Sequence, residues 1–306
     1  MKKNPFPGAG FAAGIVLLLF AIVTMFSCQK EKDASQPVPE GQQRVRIRLS
    51  DNPVSFDAVN VDIQRVEVLV IPDSCRNVNS DDDDDDDDDG RGCHYDRDKD
   101  HDGDNDCAVW DTLDIRAGVY NLLDLTNGAD TLLASGYTIA GKIKKIRLTI
   151  GSENSVVIDS VSYPLSPWSD FNRVTIKVRG EDIDEISSSD LQLWLDFDAG
   201  RSIVRIRDNH FVIKPFIRIW LPAQTASIKG KVIPAEADAV VSAIADGDTL
   251  VAIPHDDGWF KIRGLKGSTA DVFINATANG YRDTTIAGVA LVKGEDTDIG
   301  TIELHN

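Results

Sequence analysis

From Arg44 the chain reads Arg-Val-Arg-Ile-Arg-Leu, and that strict two-residue alternation constrains its fold more than any other feature. Successive side chains of an extended strand point to opposite faces, so Val45, Ile47 and Leu49 share one side and Arg44, Arg46 and Arg48 the other, the pattern of a half-buried strand. Val59, Val61 and Ile63 repeat it, and the apolar phase then jumps by three to Val66, Val68 and Val70, which predicts a β-bulge near Gln64 and Arg65. The same alternation recurs at Ile146, Leu148 and Ile150; at Val174, Ile176 and Val178; at Leu191, Leu193, Leu195 and Phe197; at Phe211 and Ile213; and at Ile217 and Ile219. Helical spacing is confined to a turn or two between Tyr120 and Leu133.

Many short strands at regular spacing predict an all-β protein built as sandwiches or partly open barrels. Residues 44–306 exceed what one small core organises, so two β-sandwich domains in tandem are expected. The first spans 44–220, Leu221-Pro222-Ala223-Gln224-Thr225 reads as a short linker, and 226–306 forms the second. In the second, residues 228–233, 240–244, 249–253, 260–262, 272–276 and 299–304 read as strands between Gly, Pro, Asp and Asn turns.

Lys2 and Lys3 followed by the apolar residues 11–26 form a secretory signal, too short and too early for a comfortable membrane span. It ends in Met25-Phe26-Ser27-Cys28, which resembles the lipobox of bacterial lipoproteins. That resemblance implies cleavage after residue 27 and acylation of Cys28 with palmitate-like chains. One chain holds only marginally, at about 0.8 kcal/mol per buried methylene, so several are needed for a stable anchor. The alternative is an uncleaved signal anchor. Residues 28–43 are polar, with two prolines, and read as a flexible tether. The charged run Lys30-Glu31-Lys32-Asp33 looks like a lipoprotein surface-export signal, implying the outer membrane and cell-surface exposure; otherwise it is simply a polar tether.

The chain carries a formal charge of −18. Residues 80–107 hold fifteen aspartates against Arg91, Arg97 and Lys99, which accounts for −12 of it. With no basic face evident for a phosphate backbone, nucleic acid is an unsuitable partner. Within this acidic insert, residues 74–109, the run Asp98-Lys99-Asp100-His101-Asp102-Gly103-Asp104-Asn105-Asp106 sets carboxylates at alternate positions with glycine at the turn. Calcium takes six to eight oxygens, so Asp98, Asp100, Asp102, Asp104 and Asp106 are its candidate ligands. The twelfth loop position is Val109 and no helices flank it, so the loop departs from the EF-hand and looks more like the acidic loops of thrombospondin type 3 repeats and dockerins. The competing expectation is a self-repelling acidic tract that collects divalent ions loosely. With Cys28 spent on lipid, Cys75, Cys93 and Cys107 remain in an oxidising compartment. Cys93 and Cys107 bracket the acidic run and are the first choice for a disulfide, with Cys75 to either as the alternative. Zinc through Cys93, Cys107, His94 and His101 fits by residue type but not by known spacing.

No nucleophile elbow, His-Glu-x-x-His pair or glycine-rich phosphate loop is present. His210, His255 and His305 lack obvious partners. Asp196 and Asp198 could serve a hydrolase as acid and base; the structural alternative is an ion pair with Arg201. Trp168, Trp220 and Trp259 are candidates for a sugar-stacking platform, although Trp259 beside Phe260 also suits sandwich packing.

Several fragments resemble, in order, a family named only as domain of unknown function 4382: Leu49-Ser50-Asp51-Asn52-Pro53-Val54, Asp57-Ala58-Val59-Asn60-Val61-Asp62-Ile63, Tyr120-Asn121-Leu122-Leu123-Asp124-Leu125, Ile146-Arg147-Leu148-Thr149-Ile150-Gly151, Leu195-Asp196-Phe197-Asp198-Ala199 with Arg201-Ser202, and Lys214-Pro215-Phe216-Ile217. Residues 74–109 depart from it, since a short hairpin connection is usual there. The C-terminal part is similar to carboxypeptidase regulatory-like domains, with their carbohydrate-binding-like fold, through Ser227-Ile228-Lys229-Gly230-Lys231-Val232, Asp256-Asp257-Gly258-Trp259-Phe260-Lys261-Ile262 with Leu265, and Asn279-Gly280-Tyr281. Such modules imply non-catalytic spacers or binding platforms. The expectation is therefore a surface-anchored, non-catalytic lipoprotein that binds extracellular glycan or protein, with calcium involved. The alternatives are a structural spacer of the envelope and the hydrolase.

Overall fold

In the computed structural model the described residues are 37–51, 56–75, 107–168, 172–178 and 189–306. The strands of the N-terminal part are β1 (Gln42–Ser50), β2 (Ala58–Pro72), β3 (Val109–Ile115), β4 (Gly118–Asn121), β5 (Thr131–Ile139), β6 (Gly141–Ile150), β7 (Ser155–Ile158), β8 (Val161–Pro167), β9 (Arg173–Lys177), β10 (Asp190–Phe197), β11 (Ile203–Arg207), β12 (His210–Ile213) and β13 (Ile217–Trp220), with one helical turn, α1 (Ala199–Ser202), between β10 and β11. The C-terminal part holds β14 (Ala226–Ile233), β15 (Val240–Ala245), β16 (Asp248–Ala252), β17 (Trp259–Leu265), β18 (Thr269–Asn275), β19 (Thr284–Ala290) and β20 (Asp296–Glu303). The protein is all-β.

The first thirteen strands form one hydrogen-bonded network that runs β11-β12-β8-β7-β2-β3-β5-β1-β10-β13, with β4 and β6 also on β2 and β9 on β6. It makes two leaves, joined where β3 pairs with both β2 and β5. Leu193, Leu195 and Phe197 from the β1–β10 leaf meet Ile63, Val66, Val68, Ile146 and Leu148 from the β2–β6 leaf in one core. β2 stays in register over fifteen residues only by a shift against β6 between Ile63 and Arg65. That is where the apolar phase jumps: Gln64 and Arg65 are exposed while Ile63 and Val66 are fully buried.

Three local readings are corrected. β1 begins at Gln42, so the last two residues assigned to the tether are strand. Its arginine face is covered rather than solvated: β1 lies between β5 and β10, and Arg44, 4% exposed, reaches Asp190 and lies over the Tyr137 ring. The helical stretch shrinks to one 3-10 turn, Leu122–Leu125, whose first turn is capped by the Asn121 side chain accepting from the Leu123 N–H at 3.3 Å.

The C-terminal strands pack as a sandwich, β17-β14-β20 against β16-β15-β18-β19, around a separate core. Gly258 sits at φ +85°, a conformation that favours glycine, and a Cβ there would run into the Val232 carbonyl. The turn aims Phe260 into the core at 2% exposure and leaves Trp259 outside at 43%. Residues 221–225 form the short connection between the two parts, held by its own hydrogen bonds. Leu221 belongs to the first core, and its carbonyl accepts from the Gln224 N–H and the Thr225 hydroxyl, both at 3.0 Å. From Val38 to Asn306 the two cores form one compact unit.

Candidate functional site

Cys28, Cys93, His94, His101, Asp98, Asp100, Asp102, Asp104 and Asp106 lie outside the described residues. The disulfide joins Cys75 to Cys107 rather than Cys93 to Cys107, with the Cα atoms 6.4 Å apart. Strand register is the reason. β2 and β3 pair antiparallel with Val70 opposite Val109, so the ends of the two strands that bear Cys75 and Cys107 meet. Bracketing the acidic run is not what selects the partner, and the paired Cys107 sulfur is not available to zinc.

The outer face of the β1–β10 leaf packs on the C-terminal sandwich. Trp194 and Trp220 stack there with centroids 5.2 Å apart, and Trp220 abuts Gly264, so Trp220 is a seam residue and not part of an exposed platform. Asp130 is the polar centre of this seam, accepting from Arg48 of the first core and from Arg263 of the second at 2.5 Å. Asn127 donates across the seam to the Ile253 carbonyl. Burial pushes the Asp130 carboxyl up, but hydrogen bonds from Arg263 and Arg48 outweigh it and hold the group below the usual carboxylate range.

Asp196 lies in the same seam and pairs with Arg218 of the neighbouring β13 at 2.6 Å, not with Arg201. Burial raises its pKa in spite of that cation. The void beside it, lined also by Ser50, Asp51, Trp220 and Arg263, has about 30 Å³, room for a water but not for a substrate. Asp198 has turned away to cap α1, accepting from the Arg201 N–H at 2.9 Å. The two carboxylates are thus separately engaged and buried, which leaves the hydrolase alternative without a cleft.

The cap at Asp198 organises an exposed surface that the sequence did not single out. Ser202, fully buried, donates its hydroxyl to the Asp198 carbonyl at 2.6 Å and accepts the Phe216 N–H at 2.8 Å, while its own carbonyl accepts the Lys214 N–H at 2.8 Å. The Trp168 N–H donates to the Ile213 carbonyl at 3.0 Å. These bonds set Trp168, Lys214, Arg201 and Phe216 side by side. The Arg201 guanidinium lies 3.9 Å from the centroid of the Phe216 ring, and the Lys214 ammonium 5.5 Å from that of Trp168. Trp168 is 55% exposed and Phe216 37%. The signal available in the sequence was Arg201-Ser202 and Lys214-Pro215-Phe216 as separate fragments; only the fold makes them neighbours.

Two open grooves flank residues 253–256. One, of about 550 Å³, is lined by Leu123, Thr126 and Asn127 together with Pro254, His255 and Asp257. The other, of about 520 Å³, lies within the C-terminal sandwich beside Pro234, Glu236 and Asp238. His210, His255 and His305 are exposed. Among the described residues no group of three or more His, Cys, Asp or Glu is placed to hold a metal, and no helix is long and apolar enough to cross a membrane.

The family model described as domain of unknown function (DUF4382) matches residues 42–215, more than half of the chain. The chain belongs to this family. The DUF4382 match runs from the start of β1 to the residue after Lys214, and the C-terminal sandwich lies beyond it. No curated protein matches in sequence. Among solved structures, a type II cohesin–X-dockerin complex from Acetivibrio cellulolyticus is similar over 26% of this chain and 56% of that one, at 22% identity and a TM-score of 0.22. The chain thus spans little more than half of that relative. The shaft pilin SpaA of Lactobacillus rhamnosus GG is similar over 87% of this chain and 98% of that one, at 9% identity and a TM-score of 0.21. The fimbrial anchor protein Mfa2 from Porphyromonas gingivalis is similar over 86% and 91%, at 9% identity and 0.19. Likenesses this remote carry no inference about a ligand.

Proposed function

We propose that this DUF4382 protein is a non-catalytic binding module held at the outer face of the outer membrane by lipid on Cys28. The observation that carries the reading is the exposed strip of Trp168, Lys214, Arg201 and Phe216, set on a body whose two cores are clamped together by Asp130. Exposed aromatic planes are costly to keep in water unless something covers them, and rings anchored through their backbones lose little freedom on binding. A spacer with no ligand of its own has no need of them. The partner class is extracellular glycan or protein. Resemblance of residues 226–306 to carboxypeptidase regulatory-like domains supports a platform role for the second sandwich. Asp98, Asp100, Asp102, Asp104 and Asp106 would supply a calcium loop that makes attachment calcium-dependent.

The test is retention of cells displaying the full chain on beads coated with glycan or with protein, with and without a calcium chelator, beside cells carrying Cys28→Ala. Retention above that of cells lacking the chain, lost together with membrane partitioning in Cys28→Ala, is the expected result. A Cys28→Ala protein that still partitions with membranes would contradict the anchor. Equal retention of cells with and without the chain, on every coating, would leave the spacer reading in its place.

A further inference from the structure

Residues 199–220 carry Arg201, Arg205, Arg207, Lys214 and Arg218 against Asp208 alone, in a chain whose net charge is −18. Arg218 is spent on Asp196, and Arg205 meets Asp208 at 3.2 Å with both side chains largely in water, a pair of little energetic weight. Among the described residues no ion pair holds Arg201, Arg207 or Lys214. Two of these cations, Arg201 in α1 and Lys214 just after β12, therefore meet exposed rings rather than carboxylates.

We infer that this strip docks an acidic polysaccharide, a chain of sugar rings bearing carboxylates such as uronic acids. The inference rests on the binding-module reading and names its ligand class. A sugar ring presents an apolar C–H face that stacks on an aromatic plane, and a uronate places a carboxylate at the rim of that face. Trp168, with the Lys214 ammonium over its ring at 5.5 Å, offers an exposed aromatic surface next to a cation, and the Arg201 guanidinium, which covers one face of Phe216 at 3.9 Å, presents a flat donor surface to a carboxylate. Two such units side by side suit a repeating polymer better than a single small ligand. An acidic polypeptide would satisfy the cations but offers no succession of flat apolar faces to the rings. The net negative charge does not prohibit this, because at physiological ionic strength charges beyond about 8 Å are largely screened and the local cations govern contact.

Hydrogen bonds that fix the strip are internal to the fold, so the site is built before any ligand arrives. The Phe216 N–H is held by buried Ser202 and the Trp168 N–H by Ile213.

Affinity electrophoresis of the full chain in detergent, at physiological salt, tests the inference with alginate as the uronate polymer, dextran as the neutral one and polyglutamate as the acidic polypeptide. Alginate is expected to retard the protein and dextran to leave it unretarded. Arg201→Gln with Lys214→Gln, and separately Trp168→Ala, should each weaken retention by about tenfold, while Trp168→Phe keeps most of it. All four side chains are exposed, and a thermal melt matching the parent establishes that each variant is folded. Equal retention by polyglutamate, insensitive to Trp168→Ala, would overturn the sugar assignment in favour of an acidic protein partner. Retention by dextran that survives the double cation variant would overturn the anionic assignment and keep the binding module. Absence of retention on all three polymers, in a protein whose displaying cells still adhere to coated beads, would overturn the strip alone.

Discussion

The two cores differ in the size of the side chains that fill them. Among the described residues, alanine occupies eight positions of the C-terminal core, among them Ala243, Ala245, Ala252 and Ala270, but only Ala134 and Ala199 of the larger N-terminal one. There, Leu, Ile, Val and Phe197 from two leaves interdigitate. Small side chains remove less apolar surface from water, so the C-terminal sandwich gains less per residue from its own burial. It also leans on its neighbour: Gly264 abuts Trp220, Gly128 abuts the Lys261 side chain, and Asp130 joins Arg48 to Arg263. The lesson is that one sandwich carries its own stability while the other borrows some through the seam.

Phe197→Ala is expected to break this contrast most severely if the contrast is wrong. Phe197 is fully buried at the meeting of the leaves, and its truncation should cost about 3–5 kcal/mol in a urea titration. Both parts should lose their structure together, because the C-terminal sandwich then loses its support; a C-terminal part that unfolds at its original midpoint would show it to be independent.

Next in size is Cys75→Ser. The bridge spans 32 residues, so its loss should cost about 3–4 kcal/mol by the chain-entropy account. Because the C-terminal sandwich leans on this core, the shared midpoint of both parts should fall; a change smaller than about 1 kcal/mol would mean that closing the loop between β2 and β3 contributes less than chain entropy requires.

Asp130→Asn sharpens the contrast with the smallest cost, about 1–3 kcal/mol, the range for hydrogen bonds to charged groups that are partly buried. Its signature should be one cooperative melt resolving into two, the C-terminal part first. The pH dependence carries a sign. Asp130 is held below its ordinary value of 3.8, so its contribution is full above that value and is lost as pH falls through the depressed folded one. Asp196 is raised by burial, so stability is regained as pH falls through its raised value toward 3.8. Asp130→Asn should therefore remove stability loss below about pH 4 and leave the gain above it. A variant whose acid limb matches the parent's would detach Asp130 from the seam.

Strand identity was legible where three or more apolar residues alternate along one buried face, because a period of two is a local property. β1, β2, β6, β10 and the bulge at Ile63 to Arg65 all announce themselves that way. β11 and β19 were not read, since Ile203-Val204-Arg205-Ile206 and Thr284-Thr285-Ile286-Ala287 alternate poorly: β11 exposes Ile206, and β19 pairs in its sheet with β18 alone. β5 was masked by helical spacing around Leu132 and Leu133, which cross-strand pairing with β1 overrides. Of the candidate site, Trp168 was legible as an aromatic of interest, whereas Trp220 lies in the seam instead of on an exposed platform, and Asp196 pairs with Arg218 instead of Arg201.

By itself the sequence determined that the chain is all-β and where its strands carry their apolar face, because alternation is decided within a few residues. Only the tertiary structure decided that Cys75 meets Cys107, that Asp196 meets Arg218, and that Trp168, Arg201, Lys214 and Phe216 share one surface. Those neighbours follow from strand order and register across long stretches of chain, where an ion pair or a stacked ring depends on which strand lies alongside rather than on spacing in the sequence.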